Sequence, residues 1–207
     1  MSKPSLYLAS VGAALAGLLS ASVAMGGTPV DYYKVCPSTT ENTIVGTEGN
    51  DVLVGTPLDD LILALGGNDR ADGKKGDDCL VMGAGNDRAK GSAGNDRLFG
   101  EDGKDFLLGG TGNDRADGGA GKDKVFGGPG NDKVKGGDGK DFVKGDSGND
   151  TVSGGDGKDR LVGGGGADKL KARDGERDTV NCGGGKDTAI VDALDRVSRN
   201  CETVLVG

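Results

Sequence analysis

The sequence predicts an all-β fold: two parallel sheets wound as a solenoid of 18-residue coils, with irregular N- and C-terminal caps. Three observations carry this expectation. From Gly46 to Lys171 an aspartate returns every nine residues, fourteen times without a slip: Asp51, Asp60, Asp69, Asp78, Asp87, Asp96, Asp105, Asp114, Asp123, Asp132, Asp141, Asp150, Asp159 and Asp168. A glycine stands two residues before each of them, except at Leu58, and an apolar side chain stands two residues after each. Inside the nine runs a period of eighteen: the residue before the aspartate is Lys104, Lys122, Lys140 and Lys158 in alternate units and Asn113, Asn131 and Asn149 in those between. Duplication of an 18-residue segment would leave the same pattern and the same geometry. A fixed period of this length is the signature of a stacked array with caps.

Composition narrows the function classes. Glycine makes up 43 of 207 residues and aromatics only 3%, so a bulky core is not available. The formal charge is −8, which argues against nucleic acid as a partner. That acid is concentrated at one repeat position, and with the ladder aspartates set aside the remainder is mildly basic. There is no histidine, which excludes His-based triads, HExxH zinc sites and histidine pH switching. Gly145-Asp146-Ser147-Gly148 imitates a serine-protease string, but without histidine Ser147 is a variable repeat position. Gly-Lys pairs such as Gly121-Lys122 lack the Ser/Thr and the upstream glycine of a phosphate loop. No enzyme is expected.

Taken in chain order, residues 1–24 read as a signal peptide: Lys3, an apolar run from Leu6 to Leu19, then Ser22-Val23-Ala24 before a cut. Ser10, Gly12 and Gly17 interrupt the run, which falls short of the roughly 20 apolar residues a membrane span needs. The mature chain is expected to be secreted and extracellular, with no membrane span after cleavage. Residues 25–45 form an N-terminal cap. Carrying the register backwards puts Asn42 at the aspartate position and Ile44 at the apolar one, as in a degenerate first coil.

Residues 46–171 are the array. With each unit numbered one to nine, Gly127 to Lys135 is a representative: six residues of turn and three of strand. Glycine at positions one and four is expected to supply positive φ and to let carbonyls crowd one point. Position eight is apolar in every unit, from Leu53 and Ile62 to Leu161 and Leu170, so positions seven and nine should face solvent. They carry Arg88, Arg97, Arg115, Lys133, Lys135 and Lys144. If two units complete a coil, position eight is sandwiched between two sheets, and Ala71, Ala89 and Ala116 sit among larger neighbours. A disordered polyanion has no reason to keep that apolar register.

Residues 172–207 hold degenerate repeats and the C-terminal cap. The register slips by one residue before Asp178-Thr179-Val180 and Asp187-Thr188-Ala189 resume it. Four cysteines in an exported chain are expected to pair. Of the three pairings, Cys36–Cys79 and Cys182–Cys201 keep each bridge local to one end, and each would stabilise by about 3 kcal/mol.

Carbonyl and carboxylate oxygens together are hard-ligand chemistry, suited to Ca²⁺ and to neither zinc nor copper. A core of fourteen small side chains is thin for so many glycine-rich backbones, and stacked carboxylates repel. Metal would remove both objections. In these residues the chain resembles the RTX, or hemolysin-type, calcium-binding nonapeptide repeat GGxGxDxUx. The resemblance implies a right-handed parallel β-roll, in which each ion sits between one turn and the turn two units on. Backbone oxygens of positions one to four and the ladder aspartate would bind it. The implied metal residues are Asp51, Asp69, Asp78, Asp87, Asp96, Asp105, Asp114, Asp123, Asp132, Asp141, Asp150, Asp159 and Asp168. With them come the position-four glycines Gly94, Gly103, Gly112, Gly121, Gly130, Gly139, Gly148 and Gly157. Fourteen units give several Ca²⁺ sites, at most about twelve. The unit Gly55 to Asp60 lacks its position-four glycine, and Ala64 and Met82 replace the first one.

The expected function is that of a secreted calcium-binding protein that folds as the ladders fill. The alternative is a calcium-rigidified surface or matrix adhesion protein. For the latter, Phe106, Leu108, Phe126 and Phe142 gather on outward positions of consecutive coils as a surface for a protein or cell-surface partner. Simple filling of a strand face by β-formers is the plainer account of those residues.

Overall fold

The computed structural model describes Cys36 and residues 42–207. The expected signal peptide, and the expected cap apart from Cys36 and Asn42–Val45, lie outside the described residues.

Among those residues the fold is all β. A ten-stranded sheet runs from Asn42–Val45 to Thr203–Val206, and a nine-stranded sheet runs from Val52–Val54 to Arg196–Val197. The chain alternates between them, so consecutive strands belong to opposite sheets and each strand pairs in parallel with the second one on. Partners stand eighteen residues apart: Leu107 beside Val125, Val125 beside Val143, Val134 beside Val152. Two nonapeptides therefore make one coil. The slip after Lys171 is absorbed inside one coil, because Leu161 pairs with Val180 and Leu170 with Ala189. The two sheets continue in register beyond it.

Strand alternation sorts the nine positions. Six, eight and one point inward; seven and nine point out. Every position-eight side chain is buried, from Leu53 to Leu170. They form one core with Val180 and Ala189 of the degenerate units. Ala71 and Ala89 lie in the nine-stranded sheet, while Ile62, Leu80 and Leu98 supply bulk from the other. Where position one is not glycine, its side chain joins this core: Ala64, Met82, Ala172 and Cys182 are all buried there.

Outward positions are largely solvent-facing, as Arg88, Arg115, Lys133 and Lys135 are. Three depart from that expectation. Cys79, Val81 and Phe99 occupy outward positions of the ten-stranded sheet but are buried, in a second cluster with Cys36 and the flanking Leu61 and Leu63. The Cys36–Cys79 bridge, Cα to Cα 5.8 Å, fastens Cys36 against that face. Cys182–Cys201 closes the other end at 5.2 Å. Both pairings are those expected, and neither leaves a free cysteine among the described residues.

Candidate metal centre

Each ladder aspartate is tied to the next coil by one carboxylate oxygen. The N–H of Asp51 donates to Oδ1 of Asp69 at 2.7 Å, Asp69 to Asp87 at 2.7 Å, and Asp87 to Asp105 at 2.8 Å. The same bond runs along the other turn edge from Asp60 through Asp78, Asp96 and Asp114 to Asp132. It crosses the slipped coil intact, with Asp159 donating to Asp178 and Asp168 to Asp187, each at 2.8 Å.

The second oxygen has no protein partner. Oδ2 is buried and unbonded in Asp69, Asp78, Asp87, Asp96, Asp105, Asp114, Asp123, Asp132, Asp141, Asp150, Asp159 and Asp168, and also in Asp178 and Asp187. A buried carboxylate oxygen without a partner is costly, so a repeated one marks a place for a cation. From Asp69 to Asp178 burial is the first cause of a raised pKa, and neighbouring carboxylates add to it. Asp78, Asp96, Asp105, Asp132 and Asp178 are pushed up to about 7. Asp87, Asp114, Asp141, Asp150 and Asp159 reach about 6, against the opposing pull of the N–H bond from the preceding coil.

Glycine position one faces that oxygen. A Cβ added at Gly127 would lie 2.4 Å from Oδ2 of Asp132 and 2.6 Å from the carbonyl oxygen of Gly145, two units on. At Gly136 the same atom would lie 2.5 Å from both Asp141 Oδ2 and the Gly154 carbonyl. The turn thus encloses a small space bounded by a carboxylate and a carbonyl from the next coil, which a side chain would fill. These glycines are not in the left-handed region, which corrects the expected role of position one. Positive φ belongs to positions two and four, as in Gly128 (117°) and Gly130 (146°), and at position two even Glu101 (72°) and Asp146 (82°) adopt it. Position four answers to stacking. A Cβ at Gly130 would lie 1.6 Å from the Gly112 carbonyl oxygen, and Gly103, Gly121, Gly139 and Gly157 meet the coil before them in the same way.

The donor set is oxygen only. Among the described residues no three carboxylates, cysteines or histidines converge on one point, and in units such as Gly127 and Gly136 the cradle is bounded by the ladder carboxylate and a main-chain carbonyl. That composition suits calcium's preference for several oxygens drawn partly from the backbone.

The two ends differ from the middle. At Asp51, Oδ2 accepts from the N–H of Thr47 at 2.6 Å and from its hydroxyl at 2.9 Å. Asp60 is held likewise by Thr56, at 2.5 Å and 3.1 Å. Both threonines stand at position two without positive φ, so their N–H turns onto the carboxylate instead of away from it. At the other end Asp195 and Glu202 receive the N–H groups of Asp178 and Asp187, each carboxylate closing one edge. Sequence reasoning missed the threonines, Glu202 and the orphaned oxygens of Asp178 and Asp187. The resumed Asp-Thr-apolar pattern was the available signal for the last two.

Position five explains the Lys/Asn alternation. On one turn edge the side chain of Asp77, Asn95, Asn113 or Asn131 accepts the N–H of the residue one coil on, a chain that continues to Ala167. On the other edge the asparagines stop at Asn86, and from Lys122 the bond comes from the main chain, Lys122 N–H to the Gly103 carbonyl at 3.3 Å.

A parallel β-solenoid with an oxygen-lined cradle at each turn defines a class of cation-ladder repeat proteins. The match to the RTX calcium-binding nonapeptide repeat is continuous from residue 39 to residue 189, and the chain belongs to that family. No curated protein matches the chain significantly. Among the described residues no helix is long and apolar enough to cross a membrane.

Proposed function

We propose that this is a secreted, non-enzymatic calcium-binding protein whose array becomes a rigid roll as ions fill the cradles. One observation carries the reading: from Asp69 onward the buried Oδ2 of the ladder aspartates has no protein partner, and beside glycines such as Gly127 and Gly136 it shares a small space with a carbonyl of the next coil. The residues that would hold the ions are the aspartates from Asp69 to Asp168 with Asp178 and Asp187, and the carbonyls of the turn glycines. Bound Ca²⁺ supplies neutralisation of stacked carboxylates and a bridge between coils, so that folding and binding become one linked equilibrium. The protein's own part is to hold Oδ1 on the ladder N–H, keep Oδ2 aimed inward, and exclude water with the position-eight core. Two disulfides and the leader-like N-terminus support an extracellular setting, where calcium is plentiful.

Circular dichroism of the mature chain in Ca²⁺, in Mg²⁺ and in chelator tests this. Strand signal is expected in Ca²⁺ alone; a complete signal in chelator would sink the switch.

A second reading, a calcium-rigidified surface or matrix adhesion protein, is favoured by the aromatic row on the nine-stranded sheet. There Phe106 and Phe126 lie 5.3 Å apart and Phe126 and Phe142 5.5 Å apart between ring centroids. Retention on cells during fractionation would select it over a free soluble protein.

A further inference from the structure

The aromatic row sits in an ordered setting. On the outer face of the nine-stranded sheet, position seven runs along the roll axis as Arg88, Phe106, Lys124, Phe142 and Arg160, one residue per coil. Along this column cation and ring alternate, and the position-nine column beside it carries Lys90, Leu108, Phe126 and Lys144. Phe126, in the neighbouring column, bridges the two outer rings, and the Arg160 guanidinium lies 5.5 Å from the centre of Phe142. Arg88, Lys124 and Arg160 are exposed, and none forms an ion pair within the described residues. Phe106 is 38% exposed, while Phe126 and Phe142 lie half-covered along the sheet.

From this alternation we infer a binding face for a linear acidic polysaccharide that carries one carboxylate on every second sugar. Like groups recur every two coils, about 9.6 Å at the usual strand spacing. A disaccharide of an extended polymer covers a comparable length. A chain laid along the axis sets each carboxylate over a cation and the apolar face of each neutral sugar over a ring, joining a charge-assisted contact to a stacking one. Neighbouring rings pack against one another tilted by 38° and 50°, with Phe126 and Phe142 half-covered along the sheet, a surface for a ring-shaped partner and not wedges for a lipid surface. The apolar strip is at most two residues wide, Phe106 with Leu108 on one coil and Phe126 beside Lys124 on the next, too narrow for the apolar centre of a stable protein interface. A polymer charged at every unit would set carboxylates over phenyl faces, whose negative charge repels them.

Binding of the calcium-loaded full chain to hyaluronan fragments, an alternating uronate and neutral sugar polymer, tests the assignment. Polygalacturonate, dextran and phosphatidylglycerol vesicles serve as comparison probes. Hyaluronan is expected to bind best. Phe142→Ser and Lys124→Gln should each weaken it roughly tenfold, the size of one lost contact of this kind. Lys133→Gln, on the opposite sheet, should leave binding unchanged. Circular dichroism in the same buffers reports folding separately, and Phe142→Leu gives a second variant should the serine disturb the sheet. Absence of hyaluronan binding by folded protein overturns the inference. So does polygalacturonate binding as tightly with Phe142→Ser as with the native residue, or preference for the vesicles.

Discussion

The N–H of Asp114 meets Oδ1 of Asp132, one coil further on, at 2.7 Å, while Oδ2 of the same carboxylate is buried with no protein partner. One side chain thus has two separable duties. Oδ1 holds the coils in register, and Oδ2 is the oxygen left for the proposed cation.

Those duties can be divided by mutation. Asp132→Asn keeps an oxygen for the Asp114 N–H but removes the charge. It should lower the calcium stoichiometry and raise the calcium midpoint of folding while leaving the roll intact at saturation. Asp132→Ala also strands a buried N–H, costing a further 1–3 kcal/mol, approximately. Calorimetric ion counting beside denaturant midpoints distinguishes the two. Equal behaviour of Asn and Ala would show that Oδ1 contributes little.

The first two units should be indifferent to metal. Thr47 and Thr56 already occupy Oδ2 of Asp51 and Asp60, so Asp51→Asn should not change the ion count, whereas Asp123→Asn should. Replacing Thr47 by glycine permits the left-handed conformation found at position two elsewhere. A gain in calcium bound by that variant would identify the threonine as the element that closes the turn.

Glycine substitutions should rank by what a Cβ meets. Gly130→Ala combines positive φ with a 1.6 Å overlap on the Gly112 carbonyl and should prevent local stacking, a loss above about 1 kcal/mol in calcium-saturated urea melts. Gly127→Ala intrudes on the cradle, so its effect should appear mainly in the calcium midpoint. Gly165, with nothing near its Cβ and no positive φ, is the neutral control.

Acidity should act oppositely with and without metal. Without calcium, Asp78, Asp96, Asp105, Asp132 and Asp178 bind protons in the roll up to about pH 7, whereas the unfolded chain releases them in the ordinary carboxylate range. The unfolded state therefore holds fewer protons across that window, and metal-free stability falls as pH rises through it. With calcium, protons compete for the same oxygens, so the calcium midpoint should move to higher concentration as pH drops below about 7. Strand content in chelator that rises from acid to neutral pH would contradict this.

Much of this was legible in the sequence because the repeat reports on itself. The period of nine located Asp132, Val134 and Gly130 and gave Val134 to the core, and the Lys/Asn alternation announced the 18-residue coil, whereas the stacking of Gly130 on the Gly112 carbonyl came from the structure. What was not legible depends on neighbours outside the unit. Val81 and Phe99 occupy outward positions and read as surface, yet Cys36, distant in sequence, clusters with them and is joined to Cys79. Thr47 looks like a conservative turn residue until its N–H is seen on Asp51.

The sequence by itself determined the periodicity, the inward and outward faces of each strand and the oxygen-only ligand chemistry. Each follows from residue type and spacing along the chain. The tertiary structure alone decided which carboxylate oxygens lack a protein partner and which outward side chains are covered. Those outcomes turn on the backbone handedness of position two and on contacts one coil away, where residues eighteen apart in the chain become nearest neighbours.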